Sequence, residues 1–323
     1  MRHPPLHEPA GCAASDIALS LLDDACAAAR AVADARRTRA HDAAVHDFRV
    51  ALRRLRVWQR VFAPWLGRAS SRGMQARLRD VAHATNASRD AAVRNRWFRQ
   101  QKRSATLKQK PGMEWLIAHG GAVRNRNEKE AASGTRLFRD LAPELAKRLE
   151  HQRGKAKNTT DRFGAVAGAL VHHGGETLRQ RLSLVRGDAD VQEAHAARIA
   201  AKQLRYLLEQ IAPTDSNATP VVARLKGLQD LLGELHDAHM LVPVLEHAAK
   251  HATGPRVRGI DGLAARRERR QRRAFTEVEQ KWLGRRAEPF FRKVRAFADD
   301  LTRHAPMGER PATTVSRRAP TRR

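Results

Sequence analysis

The sequence predicts an all-α fold built as two four-helix bundles, and three observations carry that prediction. Long Ala/Leu/Arg segments keep a helical period and are broken by short Gly, Pro, Asn and Ser clusters, while strand-like alternation and β-branched enrichment are nearly absent. A basic pattern is written twice, HDFRVALRRLR from His46 and HAARIAAKQLRY from His195, and both copies read His-x-x-Arg-x-x-x-(Arg/Lys)-x-Leu-Arg. A second pair of segments, RLRDVAHATNASRDA from Arg77 and RLKGLQDLLGELHDA from Arg224, repeats at an offset of 147 residues against 149 for the first pair. The chain therefore reads as an internal duplication. A period of about 150 is far beyond the ~20–50 residues of a solenoid repeat, so each unit is a bundle in its own right.

Breaks fall at Pro64 to Gly73, Lys108 to Gly112, Gly154 to Asp161, Arg186 to Asp190, Pro213 to Pro220 and His251 to Gly262. Between them lie about eight helices, four on each side of residue 155. The expected body runs over 16–303, with halves 16–154 and 155–303. Residues 1–15 and the Pro/Thr/Arg-rich 304–323 are read as frayed ends, having too little apolar content to order themselves.

Each half carries a stripe helix whose two faces are legible. Val45, Phe48, Leu52, Leu55 and Phe62 form the apolar row of the first copy, and Ala194, Ala197, Ala201, Leu204, Leu208 and Ile211 that of the second. The basic row is displaced by one residue, about 100° around the axis, which sets it at the edge of the buried face. Such a row spans about 15 Å and can line a groove between bundles, where partial desolvation strengthens each charge. With His at 15 and Lys plus Arg at 62 of 323 positions, one such pattern is expected by chance about 0.1 times per chain. Two copies point to opposite walls of one basic cavity on a pseudo-twofold axis.

Composition sets the class of partner. With 41% hydrophobic residues the chain can build sizeable cores, and a formal charge of +28 with a pI near 11.5 calls for an acidic ligand. Nucleic acid, an anionic membrane surface and an inorganic polyanion all satisfy charge alone. Cys12 and Cys26 have no CxxC spacing, which argues against a disulfide framework or zinc site and for a reducing interior. MRHPPLHEPAG interrupts any secretory apolar run, and no stretch approaches the ~18 residues of a membrane span; the expectation is a soluble, cytoplasmic protein.

At these residues the sequence is similar to the CHAD family, the conserved histidine α-helical domains. The resemblance rests on VHDFRVALRRLR at Val45 to Arg56, AHAARIAAKQLRYLLE at Ala194 to Glu209 and LKGLQDLLGELHDA at Leu225 to Ala238, and it covers about 16–303. It implies two four-helix bundles around a basic central cavity that binds inorganic polyphosphate, and association with polyphosphate granules. Carried over by residue, the lining falls on His46, Arg49, Arg53, Arg56, Arg79 and Arg89 in the first half. In the second half it falls on His195, Arg198, Lys202, Arg205, Lys226 and His236. Polyphosphate offers only acceptor oxygens and a charge on nearly every unit, which suits rows of Arg forks and Lys point charges.

The departures from symmetry carry expectations of their own. Asn86, in the weak helix sequence HATNAS, stands where the second half has Gly233, which puts close packing of that helix in question. Arg53, Arg79 and Arg89 become Lys202, Lys226 and His236, so the first half is expected to bind more strongly. RRERRQRR at Arg266 to Arg273 reads as a solvated helix face. Protonation of His46, His195 and His236 adds charge, so binding is expected to tighten as pH falls toward ~6.

Catalysis has no visible machinery. The Glu-x-Glu-x-Lys at Glu277, Glu279 and Lys281 suits a phosphatase strand, but it falls in a helical stretch where i and i+2 diverge by about 200°. No P-loop and no Glu-x-x-His occurs, and His247 with His251 reads as a surface pair. No metal or cofactor is expected. Nucleic-acid binding is the main rival, but 5% aromatic content and a single Tyr206 leave few stacking platforms. A third reading is a phosphate-dependent scaffold for protein partners of unknown kind.

Overall fold

The computed structural model describes residues 6–35, 40–85, 97, 104–120, 124–211 and 218–304. Among them are eleven α-helices: α1 (Ala10–Asp34), α2 (His41–Val61), α3 (Ala63–Leu66), α4 (Arg72–Ala84), α5 (Lys110–Gly120), α6 (Arg124–Lys155), α7 (Phe163–Ser183), α8 (Val191–Ile211), α9 (Thr219–His251), α10 (Pro255–Trp282) and α11 (Glu288–Arg303). The fold is all α; among the described residues there is no strand, only an isolated antiparallel bridge between Pro9 and Arg162.

The apolar rows read from the sequence are the packed faces. Val45, Phe48, Leu52, Leu55 and Phe62, and Ala194, Ala197, Ala201, Leu204, Leu208 and Ile211, are all at most 4% exposed. Burying these rows joins the helices into two groups, α1, α2, α4 and α6 in one and α7, α8, α9 and α11 in the other, whose buried faces merge into one continuous core. The groups meet where α2 packs on α8 and α1 on α7. Trp58, Phe62 and Phe163 cluster at this seam, with the Trp58 and Phe62 rings stacked at 4.2 Å and Phe62 and Phe163 at 5.8 Å.

Three expectations about the elements are corrected. The N-terminal stretch is not frayed through residue 15: α1 begins at Ala10, whose N–H donates to the Asp161 carbonyl, and Phe163 and Gly164 donate back to Glu8 and Leu6. Residues 6–10 therefore stitch α1 to the connection between the groups. The described residues hold eleven helices where about eight were expected, with the short α3 and α5 among the additions. Lys108 to Gly112 opens α5 rather than a long break, and α10 restarts at Pro255 directly after Gly254, which takes a positive φ of 57°. α5 lies on α10 with backbones almost touching at Gly112 and Gly259, where a Cβ on Gly112 would stand 2.6 Å from the Ile260 nitrogen. The expectation about Asn86 lies outside the described residues, as does the tail from 305 onward.

No helix among the described residues is long and apolar enough to cross a membrane. Nor do they bring together three or more His, Cys, Asp or Glu side chains able to hold a metal ion.

Candidate functional site

Because α2 buries its Phe48/Leu52/Leu55 face, the adjacent row of cations emerges where α2 leans on α8. Arg49, Arg53 and Arg56 on α2 and His195, Arg198 and Lys202 on α8 are half-buried, as an edge position requires. They line two adjoining pockets. One, of about 450 Å³, is walled by Arg49, Arg53 and Arg56, by His83 and Thr85 at the end of α4, and by His195 and Ile199. The other, of about 200 Å³, sets Arg53, Arg56 and Arg60 against His195, Arg198, Lys202, Gln203 and Tyr206. Arg53, Arg56, His195 and Ile199 belong to both, so the pockets form one continuous cleft. Neither lining holds an Asp or Glu among the described residues.

Internal hydrogen bonds orient these cations. Arg49 donates to the Thr85 hydroxyl and, at 3.4 Å, to the Ala82 carbonyl, fixing α2 to the end of α4. Arg53 reaches across the seam to the Tyr206 hydroxyl at 3.4 Å. His195 stacks near His236 of α9 at 4.7 Å between ring centroids. Arg198 lies over Gly233, where even a Cβ would stand at ordinary contact distance, 3.6 Å, from the guanidinium. Burial holds the Arg56 guanidinium below its ordinary pKa, and the like charges of Arg60, Arg79 and Arg53 push it further down. The cleft is thus a concentration of positive charge, whose walls hold cations from both helices.

The structure does not bring every expected residue into this lining. Arg205 turns to Glu209 at 3.3 Å, which also accepts from Arg54 of α2 at 3.2 Å, so it belongs to an ion pair joining α2 and α8. His46, Arg79 and Lys226 are exposed and lie in neither pocket wall, although Arg79 adds to the field at Arg56 and flanks a small recess beside it. Arg89 lies outside the described residues. Conversely, Arg60, His83, Gln203 and Tyr206 were missed. Arg60 was legible, because it continues the row at the next helical step after Arg56; His83 follows Arg79 by one turn of α4.

Two side patterns resolve as well. Glu277, Glu279 and Lys281 lie on α10, and Lys281 pairs with Glu277 at 2.9 Å as an ordinary i,i+4 contact. The RRERRQRR face is not wholly solvated: Arg267 is 4% exposed and donates to a Glu234 carboxylate oxygen at 2.8 Å and to the Glu234 carbonyl at 3.0 Å.

Fold and cleft together define a helical-bundle protein with paired basic helices facing one another across a groove that no carboxylate lines among the described residues. The CHAD domain model matches residues 20–246, and the chain belongs to the CHAD family. A similar solved structure is the crystal structure of the CHAD domain from the plant Ricinus communis, 17% identical over 93% of this chain and 96% of that one, with a TM-score of 0.58. No curated protein matches the chain.

Proposed function

We propose that this protein binds inorganic polyphosphate, without catalysis, in the cleft between α2 and α8. The observation that supports this reading most is the composition of the lining: Arg49, Arg53, Arg56 and Arg60 face His195, Arg198 and Lys202 with no carboxylate among them. A ligand made only of acceptor oxygens and negative charge meets donors on every side, and needs no group that reads a base or a sugar. The depressed pKa of Arg56 agrees with a site that an arriving anion relieves. A cytoplasmic protein of this kind is carried to polyphosphate granules by the same contacts.

The test is a competition between long-chain polyphosphate and duplex DNA or RNA at ~150 mM salt, on the wild type and on a variant with Arg49, Arg53, Arg198 and Lys202 changed to Ala. Preference for polyphosphate that disappears in the variant supports the reading. Retained affinity in a folded variant rejects the cleft, and preference for nucleic acid favours that rival.

A further inference from the structure

Another recess lies elsewhere and is built differently. It has a volume of about 780 Å³ and sits between α9, α10 and the 104–109 segment. Arg266, Arg269, Arg270 and Arg273 recur along α10 at helical spacing and line it over roughly 10 Å. Glu277 continues the same row one turn on. Arg267 and Arg270 are committed to Glu234, and Arg266 to the Ser104 carbonyl at 2.8 Å. Arg269 and Arg273 make no ion pair among the described residues, so their charge is available to a ligand.

We propose that this recess is a second ligand site, separate from the α2/α8 cleft, for a nucleoside polyphosphate. Arg269 and Arg273, one helical turn apart, offer charge at a spacing that suits a short phosphate chain. The rest of the wall does not suit bare phosphate: Leu231 and Leu263 are apolar, and Glu277, one of whose oxygens is held by Lys281 at 2.9 Å, keeps a second oxygen that accepts from hydroxyl or amino groups. An organic moiety carrying donors, attached to phosphates, meets both demands. A volume of this size lies within the ~300–1,000 Å³ of small-molecule sites.

The experiment titrates the full chain with ATP without metal, and separately with inorganic triphosphate, by calorimetry at ~150 mM salt. The variants are Arg269→Ala/Arg273→Ala, Glu277→Gln, and the cleft pair Arg53→Ala/Lys202→Ala, each checked for fold by circular dichroism. The first pair is expected to lower ATP affinity about tenfold or more, and Glu277→Gln to weaken ATP but not triphosphate. In the cleft-pair background, which removes anion binding between α2 and α8, ATP binding at the recess should persist. No ATP binding, loss of it in the cleft variant alone, or triphosphate matching ATP at this site overturns the proposal. Because the two variants touch different residues, failure here is distinct from failure of the polyphosphate reading.

Discussion

His195 of α8, in the wall of the basic cleft, and His236 of α9, which lines neither pocket, place their rings 4.7 Å apart at a tilt of 35°. A proton on either imidazole places a charge near the other ring and near Arg198, Arg53 and Arg56. An anion in the cleft offsets that repulsion. Since interior units of a long polyphosphate stay ionised throughout, affinity should rise between pH 8 and pH 6 at constant ionic strength. The His195→Gln/His236→Gln variant should flatten that rise. Equal affinities at the two pH values in the wild type exclude the effect.

The two walls of the cleft should not be equal. Arg53 and Arg56 take part in both adjoining pockets, whereas Arg198 and Lys202 line one. An Arg fork holds two phosphate oxygens where Lys offers a point charge. Arg53→Ala/Arg56→Ala is therefore expected to weaken polyphosphate binding more than Arg198→Ala/Lys202→Ala, each lost charge-assisted contact costing about 1.5–3 kcal/mol. Measuring both pairs at ~150 mM salt decides it, and equal losses contradict the asymmetry.

Arg205 makes a contrasting case. Its guanidinium pairs with Glu209, which also holds Arg54, so this contact joins α8 to α2. Arg205→Ala should change polyphosphate affinity less than threefold, about 0.6 kcal/mol, while Glu209→Gln lowers the melting temperature by leaving two half-buried cations without their carboxylate. A loss on Arg205→Ala as large as that on Arg53→Ala restores it to the binding set.

The helical class, the two stripe helices and their buried rows were legible because each is a local pattern: a period of 3.6 with one apolar face fixes which residues pack. The stripe also located Arg49, Arg53, Arg56, Arg198 and Lys202 at the cleft. What the sequence withheld depends on partners distant in the chain. Nothing near Arg205 states that Glu209 will be shared with Arg54, and nothing near Arg267 that Glu234 lies opposite. The docking of α5 on α10 rests on Gly112 meeting Gly259, 147 residues away, a backbone approach without any local signature. The start of α1 was missed for a similar reason, since Ala10 is held by the Asp161 carbonyl.

An acid-sensitive staple ties α7 to α11. Glu176 accepts from Arg179 of its own helix at 3.0 Å and from Arg295 of α11 at 3.2 Å. Burial by itself raises its pKa, but the two guanidiniums outweigh it and hold the carboxyl below its ordinary value. A carboxylate depressed in the folded state stabilises above its unfolded pKa, and that contribution is lost as pH falls through the folded one. Glu176→Gln should therefore lower stability by up to about 1 kcal/mol at pH 7 and progressively less from pH ~4.5 downward. Chemical denaturation at pH 7 and pH 3 measures this, and a deficit that grows toward pH 3 contradicts the sign.

The seam between the two helix groups depends on Trp58 more than on any ion pair. Its ring is 1% exposed, stacks on Phe62 and contacts Phe163 of α7 at 6.5 Å, while its indole N–H donates to the Ala14 carbonyl at 2.9 Å. Truncation removes aromatic packing between the groups, opens a cavity and leaves that carbonyl without its donor. Trp58→Ala should cost about 3–5 kcal/mol, while Trp58→Phe, which keeps most of the volume and loses the hydrogen bond, should cost about 1–3 kcal/mol. Because Arg53 and Arg56 lie on the same helix, the cleft should loosen with the seam, so Trp58→Ala also weakens polyphosphate binding without touching the ligand. Urea unfolding monitored by circular dichroism, paired with a binding titration well below the transition, separates the two effects; full affinity in a destabilised variant shows that the cleft is held independently of the aromatic seam.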